Sequence, residues 1–412
     1  QYLPRGIVLD KGVGKVKIAS FRRVMRAGHG IVAWCEEGLA TYGAQEYAAQ
    51  RIDPTAMTMV SRFYAWGENQ RKAVLLKAPD AGPNILTVGN PRTDTLYRRY
   101  RDVYAGAARS LRASYGRFLL VNSNFSIYNN YFGSGYFLEM MEHEGRICSL
   151  EHRKFLEGWV DYQRRNFQVY IEMVKCLADW YPDHRIIVRP HPSESFINWQ
   201  SATDGIDNVE VIHEGSVIPW ILAAEAMIHN TCTTGVEAFL LGSPVVTYSP
   251  FPSAVYDLEL PKKVSLGADN LRSLRALLDQ LICSSDSLMR EHATSSEVME
   301  VVTRNLAKNA DGESASEQIA RDLRNWVSKR YNVGRHVLPP LTLRLHSLNV
   351  DVVLALKNRL AALCSGRLDL VGYNKQKFAG LSAEELCELI ELYAQCDSRL
   401  ARMRGMALPG FG

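Results

Sequence analysis

Short apolar runs alternate with stretches of helical spacing through most of this 412-residue chain, and that alternation limits the fold more than any other feature. The sharpest runs are RFLLVN at 117–122, RIIV at 185–188, AMIH at 226–229 and PVVTY at 244–248. A strand covered by helices on both faces reads as an unbroken apolar run rather than an alternating one. Strands that take turns with helices assemble into a parallel sheet. The chain is therefore expected to be α/β.

The first half reads as a strand at 6–9, a helix at 19–27 and a strand at 30–34. A loop with Glu36, Glu37 and Gly38 follows, then a helical stretch at 54–62 and short buried strands at 63–66 and 85–88. Gly89-Asn90-Pro91-Arg92 is a turn that ends the last of these. Residues 94–114 read as a helical passage between domains. The second alternation runs through strand 117–122, an amphipathic helix at 153–180, strands 185–188 and 209–212, helix 217–224, strand 226–229, helix 234–241 and strand 244–248. A helix at 270–282 and a polar helical region at 284–330 complete it. The expected division is a first Rossmann-like domain at 1–114, a second at 115–335 and a helical extension at 336–412. The chain opens on Gln1, and PRGIVL already reads as a turn entering a strand, so the first domain is expected to lack its opening strand and helix. In the extension, Ser382-x-x-Glu385 is a capping box, and Leu386, Leu389, Ile390 and Tyr393 recur at helical spacing. That extension could pack back on the first domain, mediate self-association into a homo-oligomer, or touch a membrane surface.

The bulk numbers exclude several function classes. Lysine and arginine total 48 against 44 acidic residues, a net charge of +4 that is too mild to imply nucleic acid. No apolar stretch approaches the roughly 18 residues of a membrane helix, and no signal peptide is visible. The eight cysteines are scattered without CxxC or zinc-type Cys/His spacing. Reduced thiols in a cytoplasmic protein are the simplest reading. With no Asp-x-Asp motif and no His/Cys cluster, no metal site and no bound cofactor are expected.

Four segments carry candidate chemistry. The first, His229-Asn230-Thr231-Cys232-Thr233-Thr234-Gly235-Val236-Glu237, follows a strand and opens a helix. Backbone amides there can meet a phosphate at the positive end of the helix dipole, which makes Asn230, Thr231, Thr233 and Thr234 candidate donor contacts. Glu237 could hold ribose hydroxyls. A plain helix cap by Thr233 or Thr234 remains the alternative. In the second, Arg189-Pro190-His191-Pro192-Ser193-Glu194, prolines on both sides place the His191 imidazole at a strand end. Ligands of open α/β sheets bind outside such ends. Arg189 can fork onto phosphate or carboxylate, and Glu194 is a further donor contact. The third, Asn122-Ser123-Asn124, could touch a donor's phosphate or sugar or simply form a turn. In the fourth, Glu37 could act as general base for an acceptor hydroxyl. Cys232 lies in the first segment, but no base is evident beside it. Trp199 and Trp220 read as packing, although Trp220 could line a sugar site.

RPHPSE, the HNTCTTGVEAFLLGSPVVTY run, the CEEGL loop, the VGNPRTD turn and LLVNSNF together resemble the bacterial surface carbohydrate biosynthesis proteins. That group is similar, more distantly, to capsule Kdo transferases and to teichoic acid glycerophosphotransferases. The resemblance spans residues 5–330. It implies a GT-B architecture in which the C-terminal domain binds a nucleotide sugar and the N-terminal domain the acceptor, without a metal ion. Through the Kdo-type relatives it implies a CMP-linked ulosonic acid donor. Arg189, His191 and Glu194 match the RPHP element, and Thr233, Thr234 and Glu237 the nucleotide loop. The position of a nucleophilic carboxylate has no match, and position 232 is cysteine. The expected function is glycosyl transfer from a nucleotide sugar to a cell-surface polysaccharide, such as capsule or lipopolysaccharide, or to a glycolipid acceptor, at the cytoplasmic face of the membrane. The alternatives are a sugar-nucleotide epimerase of the same architecture and a non-catalytic assembly scaffold.

Overall fold

Two parallel sheets organise the described residues of the protein, one of four strands and one of six. The structure, a computed structural model, describes residues 6–36, 43–307, 313–330, 373, 376 and 383–396. Glu37 and most of the 336–412 extension, Ser382 included, lie outside the described residues.

The first unit holds β1 (Ile7–Asp10), α1 (Ile18–Arg26), β2 (Gly30–Trp34), α2 (Ala44–Arg51), α3 (Pro54–Thr58), β3 (Arg62–Ala65), α4 (Glu68–Lys77), β4 (Ile85–Thr87) and α5 (Pro91–Asp94). Its strands lie side by side in chain order, β1-β2-β3-β4. Phe21, Ile31, Ala33, Phe63 and Val74 are among the residues that fill its core. Asp53 caps α3 by accepting from the Ala56 amide at 3.0 Å, with Pro54 at the first helical position.

The second unit holds α6 (Ala105–Tyr115), β5 (Phe118–Asn122), α7 (Tyr136–His143), α8 (Leu150–Trp180), β6 (Arg185–Arg189), α9 (Phe196–Ala202), β7 (Val209–Val211), α10 (Val217–Ala223), β8 (Ala226–His229), α11 (Thr234–Leu241), β9 (Val245–Tyr248), α12 (Glu259–Lys263), β10 (Leu266–Ala268) and α13 (Leu271–Thr294). Its sheet runs β10-β9-β8-β5-β6-β7, all parallel. The chain lays strands outward from β5 on one side, then returns and lays them outward on the other. Phe118–Val121 are all buried, as a central strand covered on both faces requires. The long helix α8 starts at Ser149, whose hydroxyl accepts from the His152 amide at 3.1 Å. It presents Phe167, Tyr170, Val174 and Leu177 to the core at helical spacing.

Helices α14 (Ser296–Asn305) and α15 (Ala315–Arg330) return to the first unit, and α16 (Ala383–Cys396) belongs to the second. Both seams therefore differ from the expected 1–114 and 115–335 division, and the contacts say why. Asp94 accepts from the amides of Ala315 (2.9 Å) and Ser316 (2.8 Å), capping α15 from a distant part of the chain. Ile319 then packs against Val32 and Tyr64. Gly67 meets the end of α14 so closely that a Cβ there would stand 2.5 Å from the Asn305 backbone. On the other side, Arg112 ties α6 to the second unit by donating to the carbonyls of Leu222 (2.6 Å) and Ala223 (3.0 Å). The expected single helix at 94–114 is instead α5, a 3-10 segment at Arg98–Tyr104 and α6. The strand β10 was not expected at all.

Both units have the Rossmann-like, helix-flanked parallel sheet that the apolar runs imply. No helix among the described residues is long and apolar enough to cross a membrane.

Candidate active site

The order of the six-stranded sheet reverses between β5 and β8. Open α/β sheets take ligands in the crevice outside the carboxyl ends of the strands at such a reversal. The segments after the two strands, Ser123-Asn124-Phe125 and Asn230-Thr231-Cys232, lie at that point.

Asn230 stitches the two segments together. Its Oδ1 accepts from the Asn124 amide at 2.9 Å, and its Nδ2 donates to the Asn124 carbonyl at 3.0 Å. Gln163 of α8 braces the same loop, accepting from the Ile127 amide at 3.1 Å and donating to the Asn124 carbonyl at 3.3 Å. Thr231 has φ of 59°, the only positive φ at a non-glycine among the described residues. A β-branched residue in that region costs on the order of 1–3 kcal/mol and persists only where its surroundings impose it.

His229 is what imposes it. The ring is fully buried at the end of β8, its Nδ1 accepts from the Cys232 amide at 3.2 Å, and its Nε2 lies 2.8 Å from Ser265 Oγ. Since Nδ1 is an acceptor, the neutral ring carries its proton on Nε2 and donates to Ser265, which in turn donates to the Pro261 carbonyl at 2.8 Å. Burial lowers its pKa to about 3, so the ring stays neutral. Gly235 passes over this ring: a Cβ there would stand 2.5 Å from Cε1 and Nε2.

Helix α11 then begins. Thr233 takes the N-cap position without any side-chain cap bond, so the plain cap is not formed. Its amide has no acceptor among the described residues. Thr233 and Thr234 are half-buried, and Glu237 is buried in the first turn. The Cys232 thiol is buried 2.6 Å from Thr234 Oγ1, and burial pushes its pKa up to about 11, which removes it as a nucleophile.

On the other flank of β5, His191 follows β6. Its Nδ1 accepts from the Ser193 amide at 3.1 Å, which leaves the neutral ring's proton on Nε2, and the side chain is half-buried. Two strand spacings separate the ends of β6 and β8, about 10 Å.

Six expected contacts turn inward. Arg189 is buried, and its fork donates to the carbonyls of Glu214 (2.8 Å) and Gly215 (3.1 Å), with its guanidinium over the Trp220 ring at 5.1 Å. Burial lowers its pKa to about 10, still charged at neutral pH. It pins the loop after β7 rather than reaching a reacting group. Glu194 has no exposed surface. It accepts from Ser123 Oγ (2.9 Å) and the His191 amide (3.0 Å) on Oε1, and from Asn129 Nδ2 (3.2 Å) and Trp199 Nε1 (3.0 Å) on Oε2. Burial raises its pKa against those bonds. It is the hub that fixes the His191 turn and engages Ser123, so neither is placed to hold a ligand by its side chain. Asn122 is buried beside Met227, with Nδ2 donating to Sδ at 3.4 Å. Asn230 is committed to its clasp. Trp220 is buried under Arg189 and edge-on to Phe118, not in a sugar site.

Four residues that build this frame had no role assigned from the sequence: His229, Ser265, Gln163 and Asn129. His229 had a readable signal, a polar residue ending an apolar strand run; the other three are meaningful only through partners distant in the chain. Among the described residues, no group of three or more His, Cys, Asp or Glu side chains could hold a metal ion.

No family model matches this sequence, and no curated protein matches it. Solved structures that resemble it include the UDP-GlcNAc 2-epimerase of Methanocaldococcus jannaschii, 14% identical, covering 77% of this chain and 75% of that one with a TM-score of 0.46. The wall teichoic acid polymerase TagF is 11% identical, covering 74% of this chain and 70% of that one at 0.45. MnaA of S. aureus, solved with UDP, is 15% identical, covering 78% of this chain and 76% of that one at 0.47.

Proposed function

We propose that the chain is a metal-independent glycosyltransferase. It would move a sugar from a nucleotide-activated donor, with a CMP-linked ulosonic acid such as Kdo favoured, to a bacterial cell-surface polysaccharide or glycolipid. The observation that carries this reading is the strand reversal at β5 and β8, with the strained Thr231 turn and the start of α11 directly above it. Phosphate groups bind at such helix starts because the amides and the dipole both favour negative charge.

In this reading the labour is divided among the residues around the strand reversal. The Thr233 amide and the first turn of α11 take the donor phosphate, with Asn124, Thr231 and Thr234 around it and Glu237 toward the ribose. His191, about two strand spacings away, donates from Nε2 to the donor's phosphate or carboxylate as negative charge grows on the leaving group. Glu37 is the proposed base for the acceptor hydroxyl, a role that rests on the sequence. The protein would act at the cytoplasmic face of the membrane, with residues 336–412 as its means of association.

A thermal-shift screen against CMP, CDP, UDP and GDP tests the binding half, with CMP expected to raise the melting temperature most. Binding of none of them would favour a non-catalytic scaffold. Product analysis in excess chelator, with and without an acceptor glycan, tests the chemistry. Turnover of a UDP-sugar with no acceptor present would replace transfer by epimerisation.

A further inference from the structure

At the opposite edge of the six-stranded sheet, where β5, β8 and β9 begin, lies a second cavity of about 650 Å³. Arg117 precedes β5 on its wall, Glu225 precedes β8, and Ser243 and Pro244 precede β9. Arg101 and Arg112 complete its polar lining. Three arginines face one glutamate, which leaves an excess of two positive charges.

Two of the arginines are held by the protein. Arg117 forks onto Glu225 at 2.6 and 3.2 Å, and the same carboxylate lies 2.8 Å from His184 Nε2. Arg112 donates to the Leu222 and Ala223 carbonyls at the end of α10. Arg101 is not held. Its Nε is buried without a hydrogen-bond partner, and it makes no ion pair among the described residues. It points at the end of α11, with Nη2 3.8 Å from where a Cβ on Gly242 would stand. Capping that helix end does not account for it, because the amides of Gly242 and Ser243 already satisfy the carbonyls of Phe239 and Ala238, each at 2.9 Å. A guanidinium N–H left buried and unmatched is costly unless something else fills its place.

We infer that this cavity binds a phosphate-bearing ligand, with Arg101 as its main contact and Arg112 beside it. A planar fork matches phosphate oxygens in pairs, and the volume suits a nucleotide-sized or pyrophosphate-sized group. The site is separate from the strand-reversal crevice. The strand between them, β5, has five residues, so the two lie roughly 15–20 Å apart. Helix α11, about 12 Å long, runs from one to the other. A ligand here bears on the far end of the helix whose start forms the proposed donor site.

Phenylglyoxal labelling read by mass spectrometry tests this on the unaltered protein. Inorganic pyrophosphate should protect Arg101 and Arg112 from modification. Calorimetric titration with pyrophosphate should show a binding event that Arg101→Ala weakens about tenfold or more, with Arg101→Lys retaining part of it. Vesicles containing phosphatidylglycerol serve as a second probe: protection by vesicles but not by pyrophosphate assigns the site to a lipid headgroup, and protection by pyrophosphate assigns it to a soluble ligand. Protection by neither overturns the inference, as does a folded Arg101→Ala protein that binds pyrophosphate with unchanged stoichiometry and affinity.

Discussion

The two sheets are both parallel and both flanked by helices, yet their polar residues are distributed very differently. In the four-stranded sheet the strands lie in chain order, and described residues just beyond the carboxyl ends of β3 and β4 close back on the unit itself. Trp66 Nε1 donates to the Cys35 carbonyl, the Trp66 amide donates to Gln70 at 2.7 Å, and Asp94 caps α15. In the six-stranded sheet the order reverses at β5, and the corresponding loops carry the Asn230 clasp, the Glu194 hub and the strained Thr231. Both sets of bonds are structural, but among the described residues the second set also holds a helix start and an imidazole near the point where the strand order reverses. The reversal of strand order, not the sheer number of polar residues, distinguishes the second edge from the first.

The strongest way to break this comparison is His191→Ala. If the imidazole stabilises charge on the leaving group, turnover per folded molecule should fall about a hundred- to a thousand-fold, with the melting temperature nearly unchanged. Near-normal turnover beside a lowered melting temperature would return His191 to a structural role and leave the reversal edge without a demonstrated chemical group.

A matched pair of glycines sharpens it. A Cβ on Gly67 would meet the Asn305 backbone, and one on Gly235 the His229 ring, at the same 2.5 Å. Gly67→Ala and Gly235→Ala should each cost about 1–3 kcal/mol of stability, the range for overpacking. Only Gly235→Ala should also weaken nucleotide binding, because the displaced His229 holds the Cys232 amide and with it the Thr231 turn. Urea unfolding beside nucleotide titration gives both readings, and equal loss of affinity in the two variants would refute the division between the edges.

Glu237→Ala probes a single contact in the same region. Loss of a charged hydrogen bond to ribose should weaken nucleotide binding by about 1–3 kcal/mol. Unchanged affinity in a folded variant removes Glu237 from the site.

How far the sequence carried these distinctions depends on what each signal measures. Apolar runs report burial, and every run named as a strand became one, within a residue or so at its ends. β10 was missed because LGA is three residues with a glycine at its centre, too short to carry any period. α4 was missed because ENQRKAVLLK buries little beyond Gln70, Ala73 and Val74. At the candidate site, the segments that the fold brings together were readable, and the inward-facing partners of their side chains were not. Arg189, Glu194 and Asn230 carry the chemistry of ligand contacts, and in the fold they turn that chemistry on carbonyls, amides and one another. Whether a polar group faces inward depends on partners such as Trp199, Asn129 and Glu214, which no local pattern around RPHPSE or HNTCTT reveals. The seam at 95–114 failed for a similar reason: helical character was visible, but which sheet each helix caps is decided by Asp94 and Arg112 reaching across more than a hundred residues.

Acid offers the gentlest contrast between the two units. In the six-stranded unit, His229 has its pKa lowered to about 3 by burial, and His213 to about 4 by burial and the nearby Arg189. Unfolded, both would titrate near 6.5. Between those limits the unfolded chain takes up protons that the folded chain refuses, so stability is full above roughly pH 6.5 and falls as the pH drops through that value. The loss levels off only near the folded values. For His229 alone it should amount to about 2 kcal/mol between pH 7 and pH 5. Glu194 acts in the opposite sense at the lower end, since a carboxyl raised by burial gains a proton in the folded state first. His229→Asn isolates the histidine: the amide oxygen can still accept from Cys232, but the side chain no longer titrates. Urea unfolding at pH 7, 6 and 5 should show a shallower pH slope in this variant than in the wild type. Hydrogen exchange at pH 5 should show protection lost first in β5 and β8, with β2 and β3 following. Equal slopes in the two proteins would mean that His229 is not held neutral by the fold, and the account of how Thr231 is kept in its strained conformation would fail with it.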